Sequence, residues 1–113
     1  MSRKTIGIVD YGVGNHASTW RAFHALEYRC RISKDREILN ECDLLVLPGV
    51  GAYPVAMSAL REHDLVEYLR VQAHAGKPIV GLCLGMQLLA DSSLEHGLTA
   101  GLGIIPGQVV PLT

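Results

Sequence analysis

The chain has 113 residues, of which 49% are hydrophobic and 19% are charged, and its formal net charge is −1. This length suits one domain with one core, and the near-equal numbers of acidic and basic residues exclude the basic footprint of a nucleic-acid-binding protein. No apolar run approaches the roughly 18 residues of a membrane-spanning helix, so neither a nucleic acid nor a membrane is expected as a partner.

Alternating strand and helix patterns run through most of the chain. The predicted strands cover residues 4–10, 28–33, 43–47, 78–81 and 104–110. The predicted helices cover about 16–26, 35–40, 54–61, 65–74 and 84–91, and 92–103 is predicted to be a polar loop. Such alternation indicates an α/β fold, a doubly wound and mostly parallel sheet with flanking helices.

Three segments follow strands of this predicted sheet: residues 10–15, residues 48–52 and Cys83. Sites in doubly wound sheets lie at the carboxyl ends of the strands. Because these segments all follow such ends, we expect them to meet at one edge and form one site.

Cys83 lies between an apolar strand pattern and a helical pattern, with Gly81 and Gly85 two residues to either side. This spacing is typical of a nucleophile elbow, in which a tight turn holds the nucleophile above the sheet. The positive end of the following helix would stabilise a thiolate. The alternative is that Cys83 is a small buried hydrophobic residue. Gln87 lies one helical turn later and is either a substrate contact or an ordinary helix residue.

The segment 48–52 contains the paired glycines Gly49 and Gly51. Glycines let backbone N–H groups point at a developing negative charge, so Val50, Gly51 and Leu84, the residue after the nucleophile, are candidate oxyanion-hole donors. The alternative is an ordinary turn between strand and helix.

A dinucleotide-binding module is the second functional class considered. Gly-Val-Gly-Asn-His-Ala at 12–17 fits the G-x-G-x-x-A fingerprint after a first strand, and Asp35 lies near the position that would bind a ribose. The fingerprint explains neither the cysteine turn nor the second glycine loop, so it is the weaker interpretation.

Neither the cysteines nor the histidines indicate a metal site. Three cysteines without a Cys-x-x-Cys pair argue against a disulfide scaffold or a zinc ribbon and favour a reducing cytoplasm. The histidines fall on predicted helices or their ends, except His96. A helix running to about residue 91 would carry His96 away from Cys83, so no histidine is a convincing general base.

Gly-Leu-Cys-Leu-Gly-Met-Gln at 81–87, with Pro-Gly-Val-Gly-Ala at 48–52, resembles the class I (triad) glutamine amidotransferases, which have a flavodoxin-like core. Residues 10–15 and 101–107 are similar to the members that supply ammonia in histidine biosynthesis. The resemblance extends from residue 5 onward. A third class, the DJ-1/PfpI-type hydrolases, also has a cysteine elbow, but it fits Gln87 and residues 48–52 less well.

The resemblance implies a reaction and a partner. Cys83 would form a glutamyl thioester from glutamine and release ammonia, Gly49, Gly51 and Gln87 would contact the substrate, and no cofactor is needed. Asn15 would lie toward a separate (β/α)8-barrel cyclase subunit in a heterodimer. The family's catalytic His and Glu, in an H-x-E arrangement, are expected beyond residue 113, so residues 1–113 are expected to be one incomplete domain that is inactive alone.

Overall fold

A computed structural model describes residues 4–112. The strands are β1 (Thr5–Val9), β2 (Arg29–Ser33), β3 (Leu44–Leu47), β4 (Ile79–Gly81), β5 (Ser92–Ser93), β6 (Thr99–Ala100) and β7 (Gln108–Val109). The helices are α1 (His16–Ala25), α2 (Arg36–Asn40), α3 (Tyr53–Glu62), α4 (Val66–His74) and α5 (Leu84–Leu88). In this described part of the chain, no helix is long and apolar enough to cross a membrane.

The main sheet has four parallel strands in the order β2-β1-β3-β4. The apolar run in β3 predicts a central strand, and β3 does lie between β1 and β4, with Leu45, Val46 and Leu47 inaccessible to solvent. Burial on both faces is what parallel strands covered by helices require. The predicted α/β fold is therefore confirmed.

Helices cover both faces of this sheet. On one face Ile6, Ile8 and Val46 pack against Trp20 and Phe23 of α1. On the other face the larger core joins Val9, Leu45 and Leu47 to buried residues of α3, α4 and α5: Tyr53, Ala56, Met57, Leu60, Leu69, Leu84 and Leu88. Each fully buried aliphatic side chain contributes roughly 1.5–3 kcal/mol, so these two clusters hold the sheet that presents the loops.

Polar residues at the helix ends fix where the helices begin and end. Asn15 accepts a hydrogen bond from Ser18 N at the start of α1, and Asp35 accepts one from Glu37 N at the start of α2. These are ordinary N-caps. Gly76, at φ +92°, follows the end of α4 and precedes Pro78, as the sequence predicts.

The segment after α5 differs from the prediction. The helix ends at Leu88 instead of near Asp91, and the predicted loop 92–103 contains β5 and β6. Of the predicted strand 104–110 only β7 forms, and it pairs with β5 in a second sheet of order β6-β5-β7. Two-residue strands carry no measurable periodicity, so tertiary pairing alone defines them.

Candidate active site

The loops after β1, β3 and β4 meet at the carboxyl edge of the main sheet. A Cβ placed on Gly14 would lie 3.2 Å from Pro48 Cβ, and one on Gly49 would lie 3.1 Å from Leu84 Cβ. The first loop therefore contacts the second, and the second contacts the start of α5. The structure brings together the three segments that the sequence predicts to meet.

Cys83 occupies a strained turn between β4 and α5. Its backbone has φ 55° and ψ −124°, an unfavourable region for a residue with a Cβ, and its side chain is exposed. A Cβ on Gly81 would lie 2.6 Å from Met86 Cα, and one on Gly85 would collide with the carbonyl oxygen of Leu47. Both glycines are needed because the strand and the helix approach so closely, which is the geometry of a nucleophile elbow.

In the proposed oxyanion loop, residues 48–52, the carbonyl oxygen of Gly49 occupies one of the predicted oxyanion-hole donors, the N–H of Leu84. Leu84 N donates a hydrogen bond to Gly49 O at 3.2 Å, so its N–H does not point into open space as the prediction for Leu84 requires. Val50 is 55% exposed. Gly51 has φ +87° with no atom within 4 Å of an added Cβ, so its backbone conformation, and not crowding, favours glycine there.

Tyr11 is a site residue that the sequence analysis missed. Its buried hydroxyl donates a hydrogen bond to Pro48 O, and an added Cβ on Gly49 would lie 3.0 Å from that hydroxyl. Burial raises the pKa of Tyr11 to about 12. A tyrosine placed directly after the acidic end of the first strand was the available signal. It fixes the start of the oxyanion loop to the first loop.

In the first loop, residues 10–15, side chains of the loop accept hydrogen bonds from backbone N–H groups in and next to it. Asp10 Oδ1 accepts a hydrogen bond from Gly12 N at 3.2 Å, and Asn15 is used as the cap of α1. Asp35, the candidate ribose ligand, caps α2. His16 Nε2 lies 3.5 Å from Asp10 Oδ1 without the alignment of a hydrogen bond. A carboxylate occupies the position where a phosphate would need free N–H groups, which counts against dinucleotide binding.

Gln87 and His96 line one open cavity of about 560 Å³, together with Glu95 and residues 109–112. The prediction that His96 lies far from the elbow assumed a longer helix; with α5 ending at Leu88, the chain turns back toward Gln87. Cys83 does not line this cavity. Within residues 4–112 no hydrogen bond joins the Cys83 thiol to a histidine, since the thiols that form hydrogen bonds are those of Cys30 and Cys42.

Metal binding has no candidate in the described residues. Between residues 4 and 112, no three or more His, Cys, Asp or Glu side chains are grouped so that they could hold an ion.

A family model described as a CobB/CobQ-like glutamine amidotransferase domain matches residues 8–112. A solved structure titled "Crystal structure of glutamine amidotransferase" superposes with a TM-score of 0.79 at 21% sequence identity, covering 93% of this chain and 55% of the other. At that identity the superposition shows a common fold.

Among curated proteins, the chain is similar to several proteins named imidazole glycerol phosphate synthase subunit HisH. The protein from Exiguobacterium sibiricum is 53% identical over 107 residues, and that from Lactococcus lactis is 44% identical over 109 residues. The alignments cover 95% and 96% of this chain and 54% of each relative. A Listeria monocytogenes protein of the same name is 48% identical over 107 residues. The chain thus spans about half the length of the curated relatives it matches.

Proposed function

Because this chain belongs to the CobB/CobQ-like glutamine amidotransferase domain family, we propose that it provides the glutaminase site of an imidazole glycerol phosphate synthase. The reaction is the hydrolysis of glutamine to glutamate and ammonia. The single observation that carries the proposal is the exposed Cys83 thiol at φ 55° between the two glycines that the elbow requires. The names of the most similar curated relatives support the choice of synthase.

The proposed chemistry has two steps. The Cys83 thiolate attacks the carbonyl carbon of the glutamine side-chain amide, the C–N bond breaks, and the nitrogen leaves as ammonia after taking up a proton. Water then attacks the glutamyl thioester, which releases glutamate and restores the thiol. The N-terminus of α5 favours negative charge at Cys83, although a helix of five residues provides only a small dipole.

The oxyanion hole in this proposal needs a change in the Gly49–Val50 peptide. Gly49 O now accepts the N–H of Leu84. If that peptide rotates, the Val50 N–H turns toward the thiol and the Leu84 N–H becomes free, so that both can bind the oxyanion of the tetrahedral intermediate. We propose that substrate and partner binding shift the population toward this second orientation, with Gly49, whose ψ angle changes in the rotation, supplying the flexibility.

Substrate and partner would bind at the same edge of the sheet. Gly49, which packs against the start of α5, and Gly51 and Gln87 are the proposed contacts of glutamine. Asn15 is exposed on the first loop, which contacts the oxyanion loop through Gly14. We propose that this side faces a (β/α)8-barrel cyclase subunit in a cytoplasmic heterodimer with lyase activity, and that ammonia passes to that subunit. Residues 1–113 are proposed to lie within one domain, and the reaction is proposed to need no cofactor.

A decisive test uses the assembled synthase with Cys83→Ala. We expect glutamine-dependent synthesis to disappear and ammonia-dependent synthesis to continue, because the change removes the nucleophile and leaves the cyclase site intact. Cys30→Ala is the matched control and should keep both activities. Glutamine-dependent synthesis in Cys83→Ala would contradict the proposal.

We also propose that residues 1–113 alone hydrolyse glutamine very slowly. A general base and acid contribute typically 10²–10⁴-fold, and in the described residues no histidine is hydrogen-bonded to Cys83. Ammonia release by the purified chain, measured with and without Cys83→Ala, tests this. Efficient release that depends on Cys83 would redirect the search for a base to His96, beside Gln87.

A further inference from the structure

The helix that carries the elbow is too short to hold itself in place. α5 has five residues, which is little more than one turn, and helices of this length are unstable in isolation. Cys83 at its N-cap makes no side-chain capping hydrogen bond. Its strained backbone therefore persists only if the surrounding structure fixes α5 from outside, since strained conformations relax unless their neighbours determine them.

One external support at the C-terminal end of α5 is a segment at residues 101–105. Its backbone N–H groups bind the carbonyl groups at and just after the C-terminal end of α5: Leu102 N to Leu88 O at 2.9 Å, Ile104 N and Ile105 N to Leu89 O at 2.9 and 2.8 Å, Gly103 N to Ala90 O at 3.0 Å, and Gly101 N to Asp91 O at 2.8 Å. The terminal carbonyls of a helix have no partners within the helix. This segment supplies them.

Arg70 of α4 holds that segment from its other side. Arg70 Nε donates to Leu102 O at 2.6 Å and Arg70 Nη2 donates to Gly101 O at 3.3 Å. The N–H groups of these same two residues bind Leu88 O and Asp91 O. The guanidinium is partly buried, and a planar fork with several donors suits two adjacent carbonyl oxygens better than a lysine does.

We propose that Arg70 is a positioning residue for the nucleophile elbow: through the backbone of Gly101 and Leu102 it fixes the C-terminal end of α5 and so maintains the strained turn at Cys83. The same contact also sets the position of Gln87 on α5. That Gln87 contacts glutamine rests on the proposed function. Arg61 adds a weaker contact, at 3.3 Å, to the exposed neighbour Ala100 O.

The test compares Arg70→Ala and Arg70→Lys with Arg36→Ala. Arg36 is the matched control, because its guanidinium also donates to a backbone carbonyl, Asp64 O at 2.7 Å, which lies outside the segment 101–105. The readout is the rate at which iodoacetamide alkylates Cys83 in the folded chain, measured by mass spectrometry. This readout does not require glutaminase activity.

We expect Arg70→Ala to lower the alkylation rate of Cys83 at least about fivefold, because the relaxed turn no longer presents the thiol. Arg70→Lys should give an intermediate rate, and Arg36→Ala should match the wild type even if it is equally destabilised. Equal rates in Arg70→Ala, Arg36→Ala and the wild type would overturn the proposal.

If Arg70→Ala does not fold, the alkylation rates of Cys83 in Arg70→Lys and in the wild type are compared instead. Native-state hydrogen exchange adds a measurement on the wild type. The amides of Leu102 and Ile104 should exchange only by global unfolding. Exchange of both by local opening, with Cys83 still reactive, would show that the segment does not position the elbow.

A glutamine analogue with an electrophilic group that alkylates cysteine tests the proposed function separately from the role of Arg70. Saturable labelling of Cys83 in the wild type supports glutamine binding, and its weakening in Arg70→Ala supports the role of Arg70 in placing Gln87. Labelling without saturation in the wild type would count against the proposed function, while the iodoacetamide comparison would still decide the role of Arg70.

Discussion

Cys83 differs from the other two cysteines in its exposure to solvent. Cys42 is 3% exposed and its thiol donates to Ile38 O at 3.4 Å, and Cys30 is partly buried on β2. Burial raises the pKa of the Cys30 thiol and, against the opposing charges of Lys77 and Arg31, that of Cys42. A thiol reacts as its thiolate. The thiols of Cys30 and Cys42 should therefore react slowly for two reasons: they are less accessible, and their raised pKa leaves less thiolate.

We therefore expect iodoacetamide to alkylate Cys83 first, then Cys30 and last Cys42, at pH 7.5 in the folded chain. Peptide mapping after short exposures gives the three rates. In strong denaturant the three rates should converge, since exposure and environment become equal. Faster reaction of Cys30 or Cys42 in the folded chain would be incompatible with an elbow at Cys83.

Tyr11 gives the fold a specific dependence on alkaline pH. Its folded pKa of about 12 lies above the value of about 10 for an exposed tyrosine. The neutral phenol is thus favoured by folding, and its contribution to stability is complete below about pH 10 and is lost as pH rises toward about 12. Tyr11→Phe should remove this part of the pH dependence and lower stability by about 1 kcal/mol at pH 8, because Pro48 O loses its donor. Urea unfolding at pH 8, 10 and 11 measures both effects. If the unfolding free energy of Tyr11→Phe changes with pH as steeply as that of the wild type, another group titrates.

At the scale of elements, the two glycines of the oxyanion loop are required for different reasons. An added Cβ on Gly49 would lie 2.7 Å from Gly85 N, whereas an added Cβ on Gly51 meets no atom within 4 Å. Gly49 is needed because the loop and α5 are in contact. Gly51 is needed only because its φ is +87°.

Gly51→Ala should therefore cost only about 1 kcal/mol of stability, while glutamine turnover in the assembled synthase should fall about 10²-fold or more because an oxyanion donor is misplaced. Gly76→Ala is the matched control: Gly76 has φ +92°, also has no atom within 4 Å of an added Cβ, and lies after α4. It should lose similar stability and retain turnover. If both variants lose turnover in proportion to stability, residues 48–52 form only a structural turn.

The main sheet could be predicted from sequence because its signals are local. β1 and β3 are apolar runs, and α1 and α2 begin directly after Asn15 and Asp35, whose side chains cap them. The positions of the three loops followed from the parallel topology. The length of α5 could not be predicted, because its end is set by the N–H groups of residues 101–105 and not by its own periodicity. The orientation of the Gly49 carbonyl was equally hidden, since glycine allows either orientation.

At the scale of the whole molecule, several large apolar side chains remain exposed. Among residues 4–112, β4 is an edge strand that pairs only with β3, and Val80 on it is 40% exposed. The segments around the second sheet expose Leu94 at 41%, Leu98 at 74% and Val110 at 54%. An unpaired strand edge and exposed apolar side chains both favour association with another chain.

We expect the purified 113-residue chain to self-associate as its concentration rises. Sedimentation velocity across a concentration series measures this, and Val80→Lys should shift the population toward monomer, because a charge on an edge strand opposes pairing. Val71→Lys is a suitable control, since Val71 is similarly exposed, at 51%, but lies on α4. A monomer at all concentrations would show that the exposed edge of β4 and the exposed apolar side chains do not cause self-association.

The strand order β2-β1-β3-β4 also bears on how the molecule is assembled during translation. β2 pairs with one side of β1, β3 with the other, and β4 then joins β3, so no strand has to enter between two that are already paired. A nascent chain that has left the ribosome as far as Leu47 already holds three of the four strands. Synthesis proceeds from the N-terminus, so these strands are available before β4. The turn that carries the nucleophile is consequently the last part of this sheet to leave the ribosome, after the strands that it adjoins have emerged.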